Sequence, residues 1–185
     1  MLDVITMAQG LVDLHWTSAG KIVVNGGSHG GLVMGSAALQ KQELLRYAIP
    51  AVADLNILHS LAFSNHTNTQ YWMDKQYGDP RNNLKVLKVM AAYSPTQLAL
   101  TVDQRLLGQQ VFLLTASQND DRVPPGEEIY PFVAAVQQRK GHALLRVYEN
   151  AGHGDNLNES DIKNIAEGTA FYLAMMGINP KNVFN

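Results

Sequence analysis

Apolar positions recur along this chain with two alternating periods. Val4, Ile5, Met7, Ala8, Leu11, Val12 and Leu14 fall near helical spacing, which predicts an opening amphipathic helix that ends before Thr17-Ser18-Ala19-Gly20. A β-branched run at Lys21 to Asn25 predicts a strand, Gly31 to Gln40 a helix, and Tyr47 to Ala53 a short buried strand whose Pro50 calls for a permissive end position. Residues 54 to 105 carry a weaker pattern: a polar, Asn-rich patch at Ser64 to Gln70, a turn at Tyr77-Gly78-Asp79-Pro80 and a helix around Leu84 to Met90. The alternation then resumes. Gln110 to Ala116 reads as strand and Glu127 to Arg139, after a Pro-Pro-Gly start, as helix. Ala143 to Tyr148 reads as strand, and Ser160 to Met176 as helix with Ile162, Ile165, Ala166, Phe171 and Met175 available for one buried face. Strand alternating with helix predicts the α/β class: a parallel sheet with helices on both faces and functional loops at the strands' carboxyl ends.

Composition narrows the picture further. The 185 residues, 46% of them hydrophobic, suit a single domain over residues 1–185 with one core. A net charge of −2 with both signs scattered provides no basic stripe for nucleic acid. The absence of cysteine removes disulfides, thiolate catalysis and sulfur-ligated metal, and agrees with a cytoplasmic location. Met1 to Met7 lacks the basic start and apolar run of a secretory signal, and no window reaches the ~18–20 apolar residues of a membrane span. A soluble protein without membrane or nucleic-acid partners is expected.

The most informative stretch is Asn25-Gly26-Gly27-Ser28-His29-Gly30-Gly31, set between a predicted strand and a predicted helix. A Gly-x-Ser-x-Gly turn at such a junction is a nucleophile elbow: the serine takes strained dihedrals while Gly26, Gly30 and Gly31 leave room for the close turn. Ser28 then stands beside a helix N-terminus, where the His29 backbone N–H can meet a developing oxyanion. Such a serine needs a base, and the base a carboxylate to orient it. Asp120, in Gln118-Asn119-Asp120-Asp121-Arg122-Val123, and His153, in Asn150-Ala151-Gly152-His153-Gly154, each lie just past a predicted strand. Their order Ser, Asp, His is that of the α/β-hydrolases. An Asp-Asp-Arg loop is otherwise a common solvated surface feature, and Ala-Gly-His-Gly a common turn. His15, His59 and His142 read as surface or core positions and His66 as part of a polar loop. No His or carboxylate spacing argues for a metal, and no cofactor is implied.

From roughly Leu2 to Asn179 the chain resembles the C-terminal part of the catalytic domain of the prolyl oligopeptidase family of serine peptidases. The matching segments are the elbow, Tyr77-Gly78-Asp79-Pro80, Tyr93-Ser94-Pro95, Leu113-Leu114-Thr115 through Asp120-Asp121-Arg122-Val123, and Asn150 to Gly154. The resemblance implies a truncated α/β-hydrolase fold with Ser28 as nucleophile, Asp120 as orienting carboxylate and His153 as general base. It makes Arg122 a ligand for a substrate carbonyl. Trp72 is the nearest counterpart of the family's proline-stacking tryptophan, one residue farther from the Tyr-Gly motif, with a core tryptophan as the alternative. Family members also carry a β-propeller and several sheet strands ahead of the opening helix, together with a tyrosine hydroxyl as second oxyanion donor. None of these has a counterpart in this sequence.

Two expectations follow from those departures. Loss of one oxyanion donor typically costs about 10²–10³ in turnover, which favours small activated esters over prolyl peptides as substrates. The strand at Lys21 to Asn25, normally central, becomes an edge whose unpaired backbone invites a homodimer or higher homo-oligomer. Peptidase and esterase action both remain open, as does an inactive fragment serving as an oligomeric binding module.

Overall fold

Four parallel strands, side by side in chain order, form the sheet of the computed structural model, which describes residues 1–64, 69–154 and 159–179. The elements run α1 (Leu2–Asp13), β1 (Val23–Gly27), α2 (His29–Gln40), β2 (Tyr47–Ala51), α3 (Ile57–Ala62) and α4 (Thr69–Trp72), which continues into a π-helical turn over Met73–Tyr77. They proceed through α5 (Leu84–Ala91), α6 (Pro95–Thr101), α7 (Gln104–Leu107), β3 (Val111–Ser117), α8 (Pro125–Gln138), β4 (His142–Tyr148) and α9 (Glu159–Met175). Parallel neighbours require long crossovers, and the helices supply them. The weakly patterned middle of the chain resolves into short helices between β2 and β3. His66 and most of the Ser64 to Gln70 patch lie outside the described residues.

Register and side-chain alternation divide the sheet into two faces. Val24, Ala48, Phe112 and Ala143 pair in one transverse row, and all four are buried in the main core. On that side α2 buries Ala37, Ala38 and Leu39, and Phe132 of α8 meets Phe112 edge-on at 5.3 Å between centroids. On the other face the Tyr47 hydroxyl donates to the Met175 carbonyl of α9 at 3.4 Å. A Cβ on Gly168 would stand 3.8 Å from the Ile49 side chain. The expected buried face of α9 is therefore misplaced. Ile162 and Ile165 are 71% and 68% exposed, whereas Gly168 is buried and Phe171 half-buried.

Pro50 also departs from expectation, since it lies within β2 rather than at an end. It pairs with Gly26 on the β1 side, while toward β3 the pairing passes from Ala48–Phe112 to Ala51–Thr115 and skips Ile49 and Pro50. The N–H that proline lacks thus falls in a gap of the ladder. β1 pairs with β2 alone, so its outer edge carries no partner strand among the described residues.

Candidate active site

The strand β1 ends in a turn so abrupt that Ser28 adopts φ 53°, ψ −127°, a left-handed φ uncommon for any residue but glycine. Its backbone is clamped on both sides: Ser28 N–H donates to Ala51 O at 2.9 Å, and Ser28 O accepts from Gly31 N–H at 2.9 Å. The glycines around it are not equivalent. A Cβ on Gly26 would lie 2.6 Å from the Gly30 carbonyl oxygen, and one on Gly31 would lie 2.3 Å from the Ala53 Cβ. Gly30 has nothing within 4 Å of such a Cβ, so the room predicted to depend on three glycines depends on Gly26 and Gly31.

Three chain segments distant in sequence meet at Ser28. Asp120 sits in the turn after β3 with Oδ1 accepting from the backbone N–H of Arg122 at 3.0 Å and of Val123 at 2.8 Å. That fixes the carboxyl and leaves Oδ2 to face His153 Nδ1 at 2.7 Å. His153 Nε2 lies 2.9 Å from Ser28 Oγ. The side chains of His153 and Asp120 are only 8% and 1% exposed, so the pair is shielded from water. An ionised carboxylate can only accept, so Nδ1 carries the hydrogen and Nε2 presents its lone pair to the serine hydroxyl. Asp121 is exposed and is absent from the cleft lining.

A cleft of about 180 Å³ opens over Ser28, with His29, Trp72, Arg122 and His153 in its lining. His29 is the first residue of α2, so its backbone N–H belongs to the donors a helix leaves unsatisfied at its start. Trp72 does double duty: it lines the cleft and packs against the small core cluster of Leu32, Ile57, Leu61, Met73 and Met90. Arg122 reaches the lining from an exposed position.

Three lining residues are new relative to the sequence reading. Tyr77 places its hydroxyl 2.6 Å from His29 Nδ1, and burial, followed by the nearby Asp54 charge, pushes its pKa up and keeps it protonated. Asp54 follows β2 closely; burial raises its carboxyl above the usual range, with His29 and His153 pulling the other way. Glu128, fully buried in the first turn of α8, accepts from Asn56 N–H at 2.6 Å, and burial pushes it up to about 8. The signal for Asp54 was available, since it stands at a strand's carboxyl end. Glu128 and the His29–Tyr77 contact had none, because they depend on how the middle helices fold over the sheet.

A model of the prolyl oligopeptidase family matches residues 1–179. The chain belongs to the prolyl oligopeptidase family. A prolyl endopeptidase of Dictyostelium discoideum is 30% identical over 95% of this chain and 23% of its own length. Protease 2 of Moraxella lacunata, 29% identical, is covered to 25% by 95% of this chain. Among solved structures, a prolyl endopeptidase superposes with a TM-score of 0.75 at 27% identity, covering 95% of this chain and 24% of its own. Oligopeptidase B from Trypanosoma brucei superposes with a TM-score of 0.81 at 20% identity, over 96% of this chain and 24% of its own. The four-stranded sheet is thus part of the α/β-hydrolase domain of prolyl oligopeptidases, and the chain spans about a quarter of the length of these relatives.

Proposed function

We propose that this chain carries the reacting centre of a serine hydrolase that works through an acyl-enzyme. The observation that supports it is His153 bridging Asp120 at 2.7 Å and Ser28 at 2.9 Å inside a cleft. Ser28 Oγ attacks the substrate carbonyl carbon as its proton passes to His153 Nε2, and the carbonyl becomes an oxyanion facing the His29 N–H. Asp120 accepts from Nδ1–H and steadies the imidazolium. Collapse of the tetrahedral intermediate breaks the bond to the leaving amine or alkoxide, which takes the proton from Nε2. Water then repeats the cycle on the acyl-serine and restores Ser28. Trp72 and Arg122 serve as substrate contacts, an apolar wall and a donor to a substrate carbonyl.

Peptide bonds adjoining proline are one substrate class, after the names of the relatives. Activated esters are the other, because a good leaving group asks less of the oxyanion site. Stoichiometric labelling by a fluorophosphonate, read by intact mass, tests the reading: one adduct on the full chain and none on Ser28→Ala supports it, and no adduct on folded protein refutes it. Rates on a nitrophenyl ester and a prolyl amide then separate the substrate classes. We further propose that the open edge of β1 pairs with a second copy of this chain. A strictly monomeric species by light scattering at micromolar concentration would refute that pairing.

A further inference from the structure

We propose that Asp54 makes the cleft selective for substrates that carry a cationic group beside the bond to be cleaved, an inference that rests on the serine-hydrolase reading above. Asp54 is held against the nucleophile by its own backbone, since its N–H donates to Ser28 O at 3.4 Å. The chain reaches that position through Val52, whose φ of 40° is a conformation β-branched residues rarely take. Val52 N–H is tied to Thr115 O at 2.9 Å, so neighbouring strands hold this strained segment in place.

The carboxylate so delivered lines the same cleft as Ser28, His29 and His153. Among the described residues no hydrogen bond or ion pair reaches it. Arg122, the cation of the lining, is exposed, forms no ion pair with Asp54, and ranks last among the groups that influence it. Glu127 and Glu128 add two more carboxyl groups to the wall. Glu128 is engaged by Asn56 N–H and is largely protonated near neutrality, and of the three carboxyl groups Asp54 is the one whose backbone is hydrogen-bonded to Ser28.

A half-buried carboxylate without a partner is unfavourable, and a cation brought by the substrate reverses that cost through a charge-assisted hydrogen bond. An uncharged apolar side chain in the same place would desolvate the carboxylate further and gain nothing. The cleft therefore discriminates by charge, and a contact of this kind is worth about 10- to 100-fold in selectivity.

Arginine and citrulline 4-nitroanilides test this on the full chain, because the two side chains match in shape and differ in charge. The arginine substrate should have a kcat/KM about 10- to 100-fold higher. Asp54→Asn should bring that ratio near one, and Asp54→Glu, which keeps the charge, should retain most of it. A ratio near one in the unaltered chain, or one that Asp54→Asn leaves intact, overturns the proposal. Calorimetric titration with benzamidine and with benzamide asks the same question without turnover and without a variant: preference for the cation supports the proposal, and equal binding overturns it. Fluorophosphonate labelling of Ser28, run alongside, reports on the hydrolase reading separately, so failure of one is distinct from failure of the other.

Discussion

A single added methyl group separates the two kinds of glycine in the elbow. In Gly26→Ala the new Cβ would stand 2.6 Å from the Gly30 carbonyl oxygen, 2.7 Å from its carbon and 3.0 Å from Met34 Cγ. The methionine can swing aside, but the Gly30 backbone cannot, because it lies in the first turn of α2 directly after Ser28. Relief must come from separating β1 from α2, the junction that sets the serine's dihedrals. Overpacking of this kind costs about 1–3 kcal/mol, which lowers the melting temperature by roughly 2–12 °C for a chain of this size. Moving Ser28 Oγ by even ~1 Å from His153 Nε2 costs about 10² in reaction rate. In Gly30→Ala the same methyl finds nothing within 4 Å, and alanine is the better helix former, so stability should hold or rise by up to ~1 kcal/mol. Thermal unfolding and the rate of fluorophosphonate labelling, measured on both variants, read these effects together. Equal melting temperatures and labelling rates for the two variants would refute the claim that close approach at Gly26, rather than a general need for glycine, builds the elbow.

Three other perturbations have expected outcomes. Asp120→Asn keeps an oxygen for the N–H groups of Arg122 and Val123 but presents an NH₂ to His153 Nδ1, which selects the wrong tautomer; turnover should fall roughly 10⁴-fold with little change in unfolding midpoint. Glu128 ionises near 4.5 when unfolded and at about 8 when folded, so the unfolded chain releases its proton first and stability declines as pH rises through that window. Glu128→Gln should remove that decline, an effect on the order of a few kcal/mol between pH 5 and 8 by urea unfolding, and parallel curves would disprove it. Gln110, fully buried, donates to Ala38 O at 2.8 Å and Leu45 O at 2.9 Å, tying the end of α2 and the approach to β2 to the start of β3. Gln110→Leu should cost about 1–3 kcal/mol for each buried group it strands, seen as a lower urea midpoint.

The elements with strong local signals were legible. Alternation of β-branched runs with amphipathic runs located all four strands and the long helices, since the period of each element is written in its own residues. The elbow was legible because its serine and glycines are contiguous in sequence, although Ala51 and Ala53 from the end of β2 help to fix it. Where the sequence misled, a distant contact decided. Gly168, rather than Ile162 or Ile165, is the buried position that faces Ile49 of β2, and Pro50 fits inside β2 with a gap in the β3 pairing opposite it.

The same division runs through the site. Residue type, chain order and position after a strand named Ser28, Asp120 and His153 as candidates that would meet, because parallel strands carry their carboxyl ends to one edge of a sheet. The distances of 2.7 and 2.9 Å that make them a hydrogen-bonded relay depend on the pairing of β1 through β4, a property of the whole sheet. The character of the cleft was decided still further from local sequence. Among the described residues Asp54 lies without a hydrogen-bond or ion-pair partner in the cleft beside Ser28, and Glu128 is buried in the same wall, where the helices between β2 and β3 and the first turn of α8 close over the strand ends. A side chain's chemistry is written in its residue type, but its charge state and its partners are set by what the fold places around it.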